Sequence, residues 1–130
     1  MWAAGWGVGK VVAPAIGKYL TEVGILSQKG VPAYIKSTQV GLGQPAKVDY
    51  YKKLMKDGTF KFDKDEFIVA GFRDSKGIYY VSEGNHRMVA AIELYNETGS
   101  TKYIEGLIKN GRWNYDANYS GSKFRIPMRK

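Results

Sequence analysis

"YYVSEGNHRMVAAIEL", residues 79 to 94, is the stretch from which the fold is read. Its opening residues are aromatic and β-branched, as in a strand. Its second half predicts a helix, "HRMVAAIELYNET", with Met88, Ala91, Ile92 and Tyr95 on one face and Gly99 suited to its C-cap. "SEGN" ends the strand, so residues 82 to 87, "SEGNHR", form a strand-to-helix turn. That turn holds the only histidine of the chain, His86.

Working outward, "FIVAGF" (67–72) reads as a buried strand, "RDSKG" as a turn and "IYYV" (78–81) as the second arm of a hairpin. Upstream, "PAKVDYYKKLMKDG" (45–58) predicts a helix with Pro45 at its first position and Gly58 at its C-cap. Val48, Tyr51 and Met55 give it one apolar stripe and leave a lysine-rich face opposite. "AYIKSTQV" (33–40) has strand composition, "GLGQP" is a turn, and "TFKFDKDEF" (59–67) is a charged loop or short strand. "STKYIEGLIKN" predicts another short helix. The tail from Gly111 is expected to be irregular with one late strand. Residues 1–26 are Gly/Ala-rich and predict one or two short helices, with Thr21 to Leu26 as a docking segment.

No repeat is present. The expected fold class is α+β: a single small domain over 33–130, a mixed β-sheet flanked by helices, preceded by an apolar lead-in over 1–32. Met1 directly before that segment suggests that the chain is cut from a longer one.

The 130 residues suit one core, and an apolar share of 44% is that of a folded protein. Cysteine is absent, which excludes disulfides and thiolate chemistry. The net charge of +8 suggests an anionic partner (nucleic acid, an acidic protein or an anionic membrane surface) or simply a soluble basic domain, and the lysines and arginines divide ten to each half, so no basic tail carries the excess. Lys10 and Pro14 interrupt the first apolar run, which is too short to span a bilayer, and no positive charge opens it as in a signal peptide. Stable membrane insertion is not expected. "GVGKVV" fails as a phosphate loop because Ala4 and Val11 replace the first glycine and the Ser/Thr.

The chemistry concentrates in "SEGNHR". Gly84 can adopt positive φ and let backbone approach a ligand. Asn85 is a good N-cap. The positive helix end favours a phosphate there, and the planar Arg87 guanidinium suits two phosphate oxygens. The same helix end favours neutral His86, whereas Glu83 would raise its pKa if the two side chains meet. A histidine titrating near neutrality beside an arginine suits proton transfer at a phosphodiester.

The order of elements resembles the ParB/sulfiredoxin-like family, in particular the ParB-like nuclease domains at the ends of bacterial polymorphic toxins. Their pattern is a strand, a helix followed by glycine, two strands, then Gly-x-His-Arg or Gly-x-Arg-Arg opening a helix. Here that corresponds to "AYIKSTQVGLGQP", "KVDYYKKLMKDG", "EFIVAGFRDSKGIYYVSEGNHR" and "MVAAIELYNETG", about residues 33 to 99. The resemblance implies a phosphate-binding turn at Gly84, His86 and Arg87. Asn85 stands where sulfiredoxins carry their catalytic cysteine, which excludes sulfinic-acid reduction. "GLGQPAK", with Gln44 and Lys47, stands where ParB proteins have an arginine-bearing loop, with Lys47 in place of the arginine. The lead-in is similar to that of toxin tips of contact-dependent or Rhs-type delivery systems. That implies delivery from a producing bacterium, action in the target-cell cytoplasm, and a dedicated immunity protein, for which an acidic one suits this charge.

Three functions are compatible with these features. The first is a nuclease with His86 as general base or acid, Glu83 orienting it or sharing the proton, and Arg87 holding the phosphate. Lys47, Lys36 or a basic tail residue would stabilise developing charge. Asp63, Asp65 and Glu66 read as a solvated loop, so no metal or other cofactor is expected. RNA is then the easier substrate because its 2′-hydroxyl is a built-in nucleophile; transfer RNA is a frequent target of such toxins, sometimes with a host translation factor. The second is a nucleotide-dependent NTPase or phosphotransferase using the same turn with magnesium. The third is a non-catalytic nucleic-acid-binding module in which Trp113, Tyr115, Tyr119, Phe124 and Arg125 stack bases and contact phosphates; equally, these are core residues plus a frayed end. A monomer is expected throughout.

Overall fold

A computed structural model of the protein describes residues 30–129. The helices expected within 1–26 lie outside the described residues. The chain runs β1 (Ile35–Ser37), α1 (Ala46–Asp57), a 3-10 turn (Asp65–Phe67), β2 (Ala70–Arg73), β3 (Tyr79–Glu83), α2 (Asn85–Thr98), α3 (Lys102–Asn110), β4 (Arg112–Tyr115) and β5 (Phe124–Arg125). The strands form one sheet in the order β4-β2-β3-β1-β5. Central β3 runs antiparallel to β2 and parallel to β1, while β4 is parallel to β2 and β5 antiparallel to β1. The protein is therefore a small α+β domain with a mixed five-strand sheet and, among the described residues, three α-helices. One compact unit spans Tyr34–Lys130.

Both faces of β3 are covered, since neighbouring Tyr80 and Val81 point to opposite faces and both are buried. On the Tyr80 face its ring meets Tyr119 at 4.3 Å, and Phe72 stacks on Tyr119 at 5.0 Å. The Tyr80 hydroxyl donates to Asp74 Oδ2 at 2.7 Å, while Asp74 Oδ1 accepts from the amides of Lys76 and Ile78 and shapes the hairpin turn. Burial pushes the Asp74 carboxyl up, but these donors outweigh it and hold the group below its ordinary range.

Helix α2 packs against both α1 and α3. The single stripe expected from Met88, Ala91, Ile92 and Tyr95 is buried, and so are Val89, Ala90 and Leu94, because two helices flank α2. Burying side chains such as Ile92 and Leu94 stabilises the fold by about 1.5–3 kcal/mol each. Helix α1 ends as its sequence predicts. Gly58 is left-handed at φ 76°, and its N–H reaches the carbonyls of Leu54 and Met55. Pro45 precedes the first helical residue rather than occupying it.

Three elements differ from expectation. The strand read over 33–40 is only Ile35–Ser37. Ser37 Oγ accepts the Gln39 N–H at 3.1 Å, which turns the chain out of the ladder. Phe67 does not open a strand; its ring stacks on Phe60 at 4.6 Å and meets Tyr51 edge-on at 6.2 Å, so the chain makes a 3-10 turn there and β2 starts at Ala70. The tail has two strands, β4 and β5, one on each edge of the sheet.

Candidate functional site

The turn between β3 and α2 is built around Gly84, which is left-handed at φ 95° and ψ 24°. A Cβ at this position would lie 2.8 Å from Val69 Cγ2 and 2.9 Å from Arg87 Nη2. Glycine is thus required twice, for its backbone angle and for the guanidinium packed over it. Arg87 Nη1 donates to the Tyr51 hydroxyl at 3.2 Å and Nη2 to the Ile68 carbonyl at 3.3 Å. Its guanidinium carbon lies 5.4 Å from the Tyr51 ring centroid. Arg87 is therefore half-buried and pre-aligned, with only part of its five-donor fork used.

Asn85 does not cap α2. Gly84 holds the N-cap position, without a side-chain capping bond, and Asn85 is the first helical residue. Its side chain turns inward and is 2% exposed. Oδ1 accepts from Ser37 Oγ at 2.7 Å and Nδ2 donates to the Val81 carbonyl at 3.4 Å. Asn85 therefore ties the turn to β1 and β3, and the first-turn amides of α2 have no side-chain partner.

His86 is half-buried, and its Nε2 accepts the backbone N–H of Gln44 at 3.2 Å. That bond fixes the neutral tautomer with the proton on Nδ1. Burial, then Lys47, then Arg87 hold the imidazole pKa below its ordinary value of 6.5. The direction matches the sequence-based expectation, but desolvation and two cations cause it. Glu83 is exposed, and among the described residues no hydrogen bond or ion pair joins it to His86. The expected Glu83–His86 contact is not formed because Glu83 belongs to the last position of β3, across the glycine turn from the helix.

Of the remaining residues singled out from the sequence, Gln44 and Lys47 reach the site, Gln44 through its main chain and Lys47 through its charge. Lys36 does not. It neighbours Ser37 on β1, so strand alternation places it on the face opposite the Ser37–Asn85 bond. The tail aromatics split: Tyr119 is 8% exposed and belongs to the core, whereas Tyr115 and Phe124 are exposed. Trp113 Nε1 donates to the Ile108 carbonyl at 2.9 Å. Asp65 pairs with Arg112 at 3.0 Å on the surface, and among the described residues no three acidic or histidine side chains converge as metal ligands.

Two residues essential to this geometry escaped the sequence reading. Tyr51 looked like one member of an apolar stripe, yet its hydroxyl orients Arg87. Ser37 looked like an ordinary strand residue, yet it holds Asn85. Neither carries a local signal of its partner.

What results is a cationic corner where the starts of α1 and α2 meet, neither with a side-chain capping bond. His86 lies there against the Gln44 N–H, and the charges of Lys47 and Arg87 both act on its imidazole. Such a corner can accept an anion and exchange a proton with it. Compared with protein-family models, curated proteins and solved structures, the chain matches none.

Proposed function

We propose that the Gly84–Arg87 turn and the Gln44–Lys47 loop bind an RNA phosphodiester, and that the protein is a metal-independent ribonuclease of the ParB/sulfiredoxin-like type. The observation that carries this reading is His86: its Nε2 accepts the Gln44 backbone N–H at 3.2 Å, and burial with the charges of Lys47 and Arg87 holds its pKa below the ordinary value. The order β1, α1, β2, β3, α2 supports the resemblance over residues 33 to 99.

The 2′-hydroxyl displaces the Gln44 amide from Nε2. His86 takes its proton as the 2′-oxygen bonds to phosphorus. The bond to the 5′-oxygen breaks, that oxygen takes a proton from solvent, and a 2′,3′-cyclic phosphate remains. Arg87 and Lys47 oppose the charge growing on the phosphoryl oxygens. Glu83 has no assigned part in this step. The role is that of a toxin domain delivered into a target-cell cytoplasm and neutralised by an acidic immunity protein. Transfer RNA is the first substrate to test.

A nucleotide-dependent phosphotransferase is the second reading. It is favoured by the two helix starts and two cations at one corner, more positive character than a single phosphodiester needs. It predicts nucleotide turnover that EDTA abolishes.

The test is electrophoresis of RNA after brief expression of the wild type or His86→Ala, with circular dichroism of both purified proteins. Fragments in cells expressing the wild type, made also by the purified wild type on RNA in EDTA and lost in a folded H86A, are expected. Fragmentation that survives H86A refutes the assignment.

A further inference from the structure

Arg129 joins the two helices that carry this corner. Its Nε and Nη2 donate to Glu93 Oε2 and Oε1 at 2.8 and 2.7 Å, and its Nη1 and Nη2 donate to Asp49 Oδ2 and Oδ1 at 3.0 and 2.9 Å. Asp49 lies in the first turn of α1, two residues after Lys47. Glu93 lies on α2, about two turns beyond His86. Lys52 extends the network by binding Glu93 at 3.0 Å and also Glu97.

An isolated surface ion pair would contribute little. This one differs in geometry, since one planar fork donates paired bonds to carboxylates on two separate helices. The Glu93 arm is partly withdrawn from water, the Arg129 and Glu93 side chains being 23% and 16% exposed, whereas Asp49, at 69%, holds its arm at the surface. The segment leading to it is anchored as well, with Ile126 only 3% exposed. By contrast, the loop before α1 is exposed and glycine-rich, and meets α2 through the Gln44–His86 hydrogen bond. The position of that loop over His86 therefore follows the position of the first turn of α1. Tyr51 and Lys52 also link α1 to α2 farther along α1, and Val48, next to Asp49, is fully buried, so the clasp adds to that packing at the start of the helix.

We propose that Arg129 is a positioning residue: by gripping Asp49 and Glu93 it holds the start of α1 against α2 and so sets Gln44 and Lys47 over His86. The proposal rests on His86 being the centre of the site, but its test needs no substrate. His86 is the only histidine, so its imidazole proton and nitrogen resonances can be followed unambiguously by NMR across pH. The charged groups acting on it are Lys47 from α1 and Arg87 from its own helix.

Loosening the clasp lets Lys47 recede, admits water and releases the Gln44 N–H, and each change favours the imidazolium. Arg129→Met, Arg129→Lys and Asp49→Asn are therefore expected to raise the His86 pKa toward its ordinary value. They are also expected to weaken the preference for the Nδ1–H tautomer. D49N makes the sign diagnostic. Loss of a negative charge alone would lower the imidazole pKa, so a rise comes only from movement of α1. An unchanged or lowered pKa in folded D49N overturns the proposal, and if R129M does not fold, D49N decides alone because it leaves Arg129–Glu93 intact. Where the wild type cleaves RNA, the same variants are expected to lose about 10- to 100-fold in rate. A raised pKa with no cleavage by the wild type leaves the clasp standing and removes the ribonuclease reading.

Discussion

Replacing Gly84 with alanine tests the geometry of the turn directly. Two separate costs fall on this substitution. A non-glycine residue held in the left-handed region costs about 1–2 kcal/mol, and Gly84 sits there at φ 95°. The new Cβ would also stand 2.8 Å from Val69 Cγ2 and 2.9 and 3.2 Å from Arg87 Nη2 and Nε. Val69 is fully buried and cannot withdraw, while Arg87 can withdraw only by giving up Tyr51 and Ile68. Overpacking of this kind adds about 1–3 kcal/mol. Together, Gly84→Ala is expected to destabilise by about 2–5 kcal/mol, a large share of the roughly 5–15 kcal/mol that holds a typical domain. Gly58→Ala is the internal control, because Gly58 has φ 76° but no atom within 4 Å of its added Cβ. It should lose only the backbone part, about 1–2 kcal/mol. Urea unfolding followed by tryptophan fluorescence measures both. If G84A costs no more than G58A, the packing of Arg87 against Gly84 is wrong.

Two further expectations concern the same turn. Ser37→Ala and Asn85→Ala should each destabilise by about 1–3 kcal/mol, with a coupling of about 1 kcal/mol in a double-mutant cycle, because S37A leaves the buried Asn85 Oδ1 without its donor and N85A removes the same bond, while Ser37 Oγ keeps the Val81 carbonyl and the Gln39 N–H. Additive losses would mean that Asn85 works as a helix cap, independent of β1. For pH, folding lowers the His86 pKa from 6.5. The unfolded chain therefore binds more protons as pH falls, so stability should drop as pH goes below about 6.5 and level off below the folded pKa. His86→Gln should remove that component, seen as a smaller pH dependence of the urea midpoint, and an identical pH dependence in the two proteins would contradict it.

Features under local chemical control could be read along the chain. The strand-to-helix change at residues 79–94, the glycine stops after α1 and α2, the 74–77 turn and the helix at 102–110 were all legible. Each follows from side-chain period or from a backbone angle that glycine adopts at low cost. That Gly84, His86 and Arg87 share one strand-to-helix turn was legible for the same reason, since they are near neighbours in the chain. Partners were not. Asn85 looked like a cap because nothing in "EGNHR" announces Ser37, and Glu83 looked like a neighbour of His86 because sequence distance ignores which way the turn sends each side chain. Lys36 looked available until the β1 register put it on the opposite face. The edge strands of the tail and the Arg129 clasp were likewise invisible. Tertiary structure alone decided them, because a strand of two to four residues forms only when a neighbour offers its ladder, and an arginine grips two helices only after both have packed.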